Sequence, residues 1–386
     1  MTGTQEIEAR LTSGFYVKRD LTIVRGQGAL LYDDQGNEYI DCVGGQGAAN
    51  LGHANIKIAE AIYQQAQRLI SCPEIFYNDQ RAILLEKLIN LTNSKFNRGF
   101  LCNSGTEAIE AALKISRFST GRTEIVATMR GFHGRTMGAL SATWEKKYRQ
   151  PFEPLVPGFT HVPYNNLEKL EQVVDEHTAA VILEVVQGEG GVYPGTAEFL
   201  RGAQVLCNRF GALLIIDEIQ TGFGRTGKMF AYEHFGLEPD LLCLAKSIAG
   251  GLPMGVVLIG KEVIELLPGL HGTTFGGNPV ICAAANAALD IYVQDQLPER
   301  ANALGRYFIG ELRKLETPLI REVRGLGLIV GIELRQKVAP IIASLKEHGV
   351  LALPAGMTVL RFLPPLVIEK EQLEKVISAV HEVLSV

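Results

Sequence analysis

The chain has 386 residues, of which 47% are hydrophobic and 20% charged, and its formal net charge is −5. These values indicate a folded globular protein of two domains, or of one large domain with a lobe, and exclude a disordered chain. The small negative charge makes nucleic acid an unsuitable partner, and no apolar run reaches the ~20 residues needed to span a bilayer.

The N-terminal residues 1–14 lack the apolar core of a signal peptide. The six cysteines are scattered and include no CxxC pair, which is typical of reduced thiols in a cytoplasmic protein. The eight histidines show no HxxxH or HxH spacing, so no metal site is predicted.

The first chemically suggestive element follows a short apolar run at 99–102. This run continues through Asn103 and Ser104 into a helical pattern, and Ser104 and Glu107 fit the S-x-x-E capping box. The amides and positive end of such a helix suit a phosphate group. An ordinary capped helix is the alternative, since capping boxes are common.

Three later apolar runs, at 179–186, 211–219 and 240–247, are predicted strands, and residues 196–210 between the first two have helical spacing. Strands that are apolar throughout are buried on both faces. The sequence therefore predicts an α/β fold with a mostly parallel sheet flanked by helices. Ligands of such sheets bind beyond the carboxyl ends of the strands.

Polar residues stand near those ends: Glu184 in the first run, Asp217 in the second and Lys246 in the third. Each alone could be a strand-end residue that turns toward solvent, but three in register would bring acids and an amine to one crevice. Lys246 lies in the apolar stretch 240–255, where burial would lower its pKa and make the amine a nucleophile.

Residues 222–227, GFGRTG, match the dinucleotide fingerprint G-x-G-x-x-G. The following segment is short and weakly amphipathic, and Asp240 precedes its strand instead of ending it. We therefore interpret 222–227 as a glycine-rich active-site loop, with an NAD-dependent dehydrogenase as a remote alternative.

A lysine, a carboxylate and a phosphate site together fit pyridoxal 5′-phosphate, whose aldehyde needs an amine and whose ring nitrogen needs an acid. A carboxylate beside the ring nitrogen keeps it protonated, so that the ring can accept electrons when the substrate proton leaves.

The chain also resembles the class III (ornithine/acetylornithine type) aminotransferases, which are fold type I enzymes, over nearly its whole length. The motifs that carry the resemblance are SGTEA at 104–108, GFHGRT at 131–136, QGEGG at 187–191, DEIQTGFGRTG at 217–227, LAKSIAGG at 244–251, HGTTFGGNP at 271–279 and LRFLPPL at 360–366.

The resemblance implies a catalytic pair. Lys246 would bind the cofactor aldehyde covalently and later move the substrate proton, and Asp217 would pair with the pyridine nitrogen. The implied cofactor-binding residues are Ser104, Gly105, Thr106, Phe132, Asp217, Gln220, Lys246 and Thr274.

Among these residues, Gly105 and Thr106 would hold the phosphate, Phe132 would stack on the ring, and Gln220 would lie near the ring hydroxyl. Thr274 would reach the phosphate of the other subunit, so a homodimer with shared active sites is expected. Phe132 could instead be plain core, as aromatic residues often are.

The resemblance also implies substrate-binding residues. Arg135 and Arg361 would bind carboxylates, Thr273 would lie near the substrate, and Glu189 would pair with Arg361 when no glutamate is bound. This pair would let one pocket accept both an ω-amine and glutamate, with 2-oxoglutarate as the partner acid. The arginines could alternatively be surface salt-bridge partners.

One position departs from the family pattern. The family usually has proline after the strand-end glutamate, whereas Val185 follows Glu184 here. We expect a slightly different path for this loop.

Two branches of the family compete for the substrate. Residues 15–53, 129–158 and 355–371 resemble the branch that acts on an aminoadipate semialdehyde or ornithine derivative attached to the small acidic carrier protein LysW, in lysine or arginine biosynthesis. Trp144 and Glu145 are an example, because N-acetylornithine aminotransferases, the alternative, differ there.

A basic cluster formed by Lys146, Lys147 and Arg149 follows these two residues and could meet an acidic partner. An ordinary solvated run of charges is the alternative.

The predicted large, cofactor-binding domain covers residues 50–280, and a smaller α+β domain combines 1–49 with 290–386. The elements expected in the C-terminal part are a helix near 298–315, strand at 320–334, a helix near 337–348, a strand pair around 350–364 and a helix from 369. Arg361 would approach the site from this domain.

Overall fold

The structure is a computed structural model that describes residues 3–385. Its helices are α1 (Gly3–Leu11), α2 (Gly44–Gly47), α3 (Ile56–Arg68), α4 (Asp79–Leu91), α5 (Gly105–Thr120), α6 (Met137–Ala142), α7 (Lys146–Arg149), α8 (Leu167–Glu171), α9 (Ala197–Phe210), α10 (Pro279–Gln294), α11 (Leu297–Leu312), α12 (Val338–Glu347) and α13 (Lys370–Leu384). Short 3-10 helices cover Gln150–Phe152, Ala231–His234 and Lys246–Ala249.

The strands are β1 (Ile23–Gln27), β2 (Leu30–Asp33), β3 (Glu38–Asp41), β4 (Phe96–Cys102), β5 (Glu124–Thr128), β6 (Phe159–Val162), β7 (Thr178–Glu184), β8 (Val186–Gln187), β9 (Tyr193–Pro194), β10 (Leu213–Asp217), β11 (Leu241–Leu244), β12 (Gly255–Gly260), β13 (Ile320–Leu326), β14 (Ile329–Leu334), β15 (Val350–Leu351), β16 (Leu353–Ala355) and β17 (Val359–Phe362).

The central sheet has the strand order β4-β12-β11-β10-β7-β5-β6, in which β12 runs antiparallel to both of its neighbours and the other pairs are parallel. Alternate residues enter different cores: Val181 and Leu183 lie on one face of β7, whereas Ile182 lies on the other. The sheet is thus covered on both faces, which explains its continuous apolar strands. The predicted α/β class is confirmed.

The strand register aligns the chemically important ends. Asp217 at the end of β10 lies opposite Glu184 on one side and Cys243 on the other. The predicted strand at 240–247 is shorter than expected, because β11 ends at Leu244 and a 3-10 turn begins at Lys246. Lys246 therefore follows its strand and lies beyond the same sheet edge as the two acids.

Chain segments from the two ends of the sequence share a sheet. Strands β1, β2 and β3 continue into β15, and Val350 pairs with Ile40 in parallel. A second, antiparallel sheet has the order β13-β14-β17-β16 and carries Arg361 on β17. The domain boundaries stay a prediction.

The run at 320–334 is not one strand but the hairpin β13–β14, which turns at Gly327 with φ +57°. The other C-terminal elements lie close to their expected positions: α11, α12, β15 to β17 and α13.

The interpretation of 222–227 as an active-site loop is wrong, because this segment does not line the cavity described below. Its Arg225 is fully buried and donates hydrogen bonds to the carbonyls of Leu328 (2.9 Å) and Pro364 (2.6 Å). The glycines instead allow close packing: a Cβ on Gly227 would lie 2.9 Å from that of Asn302.

Within residues 3–385, no helix combines the length and hydropathy needed to cross a membrane. The same part of the chain contains no group of three or more His, Cys, Asp and Glu side chains arranged to hold a metal ion.

Candidate active site

A cavity of about 680 Å³ lies beyond the carboxyl ends of β7, β10 and β11. Most of the residues predicted from the sequence meet there: Ser104, Gly105, Thr106, Phe132, Arg135, Glu189, Asp217, Gln220, Lys246 and Arg361. These residues come from distant parts of the chain, and Arg361 is contributed by the second sheet.

Lys246 is partly buried and lines this cavity. Its φ of +49° places a non-glycine residue in the left-handed region, which costs energy and persists where the surroundings dictate it. Desolvation by burial lowers the pKa of its amine, and the nearby charge of Glu189 opposes this. Lys246 is thus more readily deprotonated than an ordinary lysine.

Asp217 is held by a residue that the sequence did not reveal. Its Oδ2 accepts a hydrogen bond from His133 Nδ1 at 2.8 Å, and its Oδ1 accepts one from the amide of Ile219 at 3.0 Å. Burial lowers the pKa of His133, but the hydrogen bond and charge of Asp217 outweigh it and raise the pKa overall. His133 Nε2 is buried and has no hydrogen-bond partner among residues 3–385.

The N-terminus of α5 faces the cavity. Ser104 Oγ accepts a hydrogen bond from the Glu107 amide at 3.3 Å, but the predicted reciprocal half of the capping box is wrong. Glu107 Oε2 instead accepts from the backbone amide (2.6 Å) and side chain (3.0 Å) of Asn103. The first amides of a helix have no intrahelical acceptor, so those of Gly105 and Thr106 are available to an anion.

The aromatic wall of the cavity consists of Phe132 and Tyr148. Their rings meet edge to face with centroids 5.9 Å apart. The exposed Arg135 places its guanidinium carbon 4.4 Å from the Tyr148 centroid, a cation–π distance. Tyr148 is a second residue that sequence reasoning missed.

Arg361 also lines the cavity and is 2% exposed. Its Nη2 lies 2.6 Å from Glu189 Oε1, and its Nη1 donates to Gln220 Oε1 at 3.2 Å. Burial raises the pKa of Glu189, but the positive charges of Arg361 and Lys246 outweigh this effect, so the pKa lies below its ordinary value. Glu189 therefore stays ionised opposite Arg361.

Glu184 also lines the cavity, where its carboxylate accepts hydrogen bonds from the amides of Phe132 (2.9 Å) and Gly188 (3.2 Å). Burial raises its pKa to about 7. Val185, the residue at which the sequence departs from the expected family pattern, is fully buried, and its carbonyl accepts from the Gly195 amide at 2.9 Å.

Two predicted residues do not line the cavity. Thr273 Oγ1 accepts a hydrogen bond from Asn103 Nδ2 at 2.9 Å, and Asn103 itself is a lining residue. Thr274 is exposed on the irregular segment before α10. Its predicted role in a second subunit stays a prediction.

The family is established by comparison with known proteins. Residues 15–384 match the model of the family "Aminotransferase class-III". The chain belongs to the class III aminotransferases and is a pyridoxal-phosphate-dependent enzyme. The predictions of family, cofactor and enzyme class are confirmed, and the dehydrogenase alternative is wrong.

Two curated relatives represent the competing branches. The chain is 49% identical to the [LysW]-aminoadipate semialdehyde transaminase of Deinococcus radiodurans, over 100% of this chain and 92% of that protein. It is 43% identical to the acetylornithine aminotransferase of Methanothermobacter thermautotrophicus, over 98% of both chains.

Solved structures share the fold. The ornithine aminotransferase of Toxoplasma gondii superposes with a TM-score of 0.95 at 33% identity, covering 99% of this chain and 93% of that one. A PLP-bound amine transaminase from an uncultivated Pseudomonas species superposes with a TM-score of 0.92 at 28% identity, covering 97% of this chain and 98% of that one.

The cavity fits pyridoxal phosphate on its own geometry. An amine, a histidine-bound carboxylate, free helix amides and an aromatic wall surround one space. Two glycines allow close packing around the N-terminus of α5. A Cβ on Gly105 would lie 2.8 Å from Ile219 Cδ1, and one on Gly134 would lie 2.4 Å from Thr106 Oγ1.

Proposed function

We propose that this cavity is the active site of an ω-aminotransferase in which Lys246 and Asp217 are the catalytic pair. The observation that carries the proposal is that the Lys246 amine opens into the same cavity as the carboxylate anchored by His133. When bound, pyridoxal phosphate supplies an aldehyde and a ring that accepts the electron pair left by the departing substrate proton.

Lys246 would hold the aldehyde and, once displaced by the substrate amine, carry the proton. Its lowered pKa favours the neutral amine that both tasks require. Asp217 would hold the ring nitrogen in its protonated form, since a buried carboxylate stabilises a neighbouring cation.

The remaining contacts would orient the cofactor. Gly105 and Thr106 would bind its phosphate through the N-terminus of α5, with Ser104 fixing the start of that helix. Phe132 would cover one face of the ring, and Gln220 would lie at its edge.

Substrate carboxylates would bind to Arg361 inside the site and to Arg135 at the exposed mouth. Because Glu189 neutralises Arg361 in the free enzyme, an ω-amine end that carries no carboxylate can enter beside the closed pair. Glutamate would displace Glu189 and place its own α-carboxylate on the freed guanidinium, so that one pocket serves both donors.

For the amine substrate, we propose an aminoadipate semialdehyde or ornithine derivative attached to an acidic carrier protein of the LysW type. The relative named above supports this choice, as does a second one: a putative [LysW]-aminoadipate semialdehyde/glutamate semialdehyde transaminase of Pyrobaculum aerophilum, 43% identical over 96% of this chain and 97% of that protein. The alternative, N-acetylornithine, is supported by the acetylornithine aminotransferases at similar identity.

The surface beside the mouth supports a carrier. The exposed Lys146 and Lys147 lie on α7, the helix that also supplies Tyr148 to the cavity. Lys147 Nζ stands 4.9 Å from the Tyr148 ring centroid. An acidic partner docked on these lysines would therefore deliver a tethered substrate directly to Arg135.

We also propose a homodimer in the cytoplasm. Large apolar side chains remain exposed, and two of them, Ile70 and Phe275, line an apolar cavity of about 400 Å³ that shares Asn103 with the active site. Exposed surface of this kind marks an association site. Those side chains are Ile70, Ile75, Phe76, Tyr77 and Phe275. The six free thiols are consistent with a reducing compartment.

The decisive experiment is reconstitution of the purified chain with pyridoxal phosphate. Wild type should become yellow and change its spectrum on adding glutamate, whereas Lys246→Ala should lose covalent binding and turnover. Lys261→Ala, an exposed lysine outside the cavity, is the matched control. A colourless wild type, or full turnover by Lys246→Ala, would refute the proposal.

The substrate is tested by comparing kcat/KM for a carrier-bound amine with kcat/KM for free N-acetylornithine. The carrier-bound amine should be preferred, and a strong preference for free acetylornithine would exclude the carrier.

A further inference from the structure

One carboxylate joins two sides of the site. Glu184 Oε1 accepts a hydrogen bond from the Phe132 amide, and Oε2 accepts one from the Gly188 amide, the residue immediately before Glu189. We propose that Glu184 is a positioning residue that couples the aromatic wall to the loop carrying Glu189. This inference rests on the proposed function, in which Phe132 and Glu189 hold cofactor and substrate.

The backbone of Glu184 is fixed and can serve as the reference point. Glu184 at the end of β7 pairs with Asp217 at the end of the parallel strand β10. The Tyr164 hydroxyl donates to the carbonyls of Glu184 (2.6 Å) and Val185 (3.1 Å). Because the end of β7 is held in this way, the hydrogen bond from the Gly188 amide ties the loop to a fixed point.

The loop is anchored on both sides of Glu189. On the near side, a Cβ on Gly188 would lie 1.8 Å from Gln220 Oε1, so the backbone packs directly on Gln220. On the far side, the Gly191 carbonyl accepts from Arg324 Nη2 at 2.8 Å and Nε at 3.0 Å. The Gly188 amide also donates to Glu184, so loss of that hydrogen bond would change how Glu189 meets Arg361.

Protonation of Glu184 would weaken the hydrogen bond that it accepts from the Gly188 amide. An ionised carboxylate has two strong acceptor oxygens, whereas a protonated one carries an O–H donor on one oxygen and accepts only weakly there. The Gly188 bond is the longer of the two, at 3.2 Å against 2.9 Å, and is expected to be lost first.

The titratable groups around Glu184 place this change near neutral pH. Burial raises its pKa to about 7, the positive charge of His133 opposes the shift, and Asp217 reinforces it. Lys246 and Tyr164 also interact with its charge. The coupling therefore weakens as the pH falls through about 7, and Arg361 becomes more accessible to glutamate.

The test compares Glu184→Gln with Glu218→Gln by hydrogen exchange of the apoenzyme. Glu218 is a matched control, because it is fully buried, accepts from the amides of Ala231 and Tyr232 at 2.7 Å each, and does not line the cavity. A charge-assisted hydrogen bond lost in Glu184→Gln should raise exchange at Gly188 about tenfold at pH 8. Glu218→Gln should leave exchange there unchanged.

A kinetic measurement complements exchange in the holoenzyme. In wild type and Glu218→Gln, the ratio of the glutamate to the amine half-reaction rate should rise as the pH falls from 8 to 6. In Glu184→Gln the ratio should be independent of pH, because the side chain cannot take up a proton.

Unchanged exchange at Gly188 in Glu184→Gln, with the pH dependence of the ratio retained, would overturn the inference. If that variant does not fold, wild type alone decides: its Gly188 protection factor should fall between pH 8 and 6, and constant protection contradicts the coupling. Full turnover by Lys246→Ala would instead refute the proposed function and leave the apoenzyme exchange result intact.

Discussion

The imidazole of His133 donates a hydrogen bond from Nδ1 to Oδ2 of Asp217 at 2.8 Å, and both side chains are buried. The amide of Ile219 donates a hydrogen bond to the other oxygen, Oδ1. A carboxylate can accept about four hydrogen bonds, so acceptor capacity remains on the side that faces the cavity. His133 thus orients the acid while leaving it able to hold a cationic ring nitrogen.

Replacing His133 with alanine should lower kcat/KM about ten- to a hundredfold with either amino donor. The reason is the loss of a charge-assisted hydrogen bond, worth about 1.5–3 kcal/mol, that orients Asp217. Steady-state kinetics and the cofactor dissociation constant measure the effect. His161→Ala is the control, since His161 bonds to the Ala142 carbonyl outside the cavity. Equal losses in both variants would contradict the orienting role.

Substituting Glu189 with glutamine should impair the ω-amine half-reaction about tenfold more than the glutamate half-reaction. The charge that neutralises Arg361 is lost, while glutamate needs Arg361 free. Single-turnover kinetics of the two half-reactions give the ratio directly. Glu198→Gln, an exposed glutamate on α9, should leave the ratio unchanged. Equal losses in the two half-reactions would refute the switch.

The central sheet and its acids were predictable because the information is local. Long apolar runs identify buried parallel strands, and the carboxyl ends of such strands converge. The sequence by itself therefore places Glu184, Asp217 and Lys246 at one crevice.

The remaining contacts depend on tertiary partners that periodicity does not encode. His133 lies 84 residues from Asp217 in sequence, and nothing in GFHGRT indicates which acid it meets. Glu107 matches a capping box but binds Asn103, one residue earlier than expected. Arg225 sits in a glycine-rich motif, yet its guanidinium is used for packing between distant segments.

Reversing the charge of Lys146 and Lys147 to glutamate should lower kcat/KM for a carrier-bound amine about tenfold and leave that for a free small amine unchanged. Exposed charges that steer an acidic partner act mainly on association, so the wild-type advantage should shrink at high salt. The measurement is kcat/KM for both substrates across ionic strength.

The matched control for this surface is Lys370→Glu with Lys375→Glu, two exposed lysines on α13 that do not line the cavity. This variant should use both substrates as wild type does. A similar loss of carrier activity from either pair would mean that net charge, and not a docking surface beside Tyr148, decides the rate.

Glu218 should make the stability of the apoenzyme depend on pH. Burial raises its pKa to about 8, against an ordinary value of ~4.3. Between these values the folded chain retains a proton that the unfolded chain releases. The stability contributed by this group is therefore complete at low pH and is lost as the pH rises toward 8.

Glu218→Gln has no carboxyl proton to release. Its free energy of unfolding should therefore decline less than that of wild type between pH 5 and 8, and the difference should be about 2 to 5 kcal/mol. Urea unfolding of the apoenzyme at several pH values measures the two slopes. The exposed Glu198→Gln should keep the wild-type slope. Glu218→Gln and wild-type curves that run parallel over this range would show that the Glu218 carboxyl does not hold its proton in the folded chain.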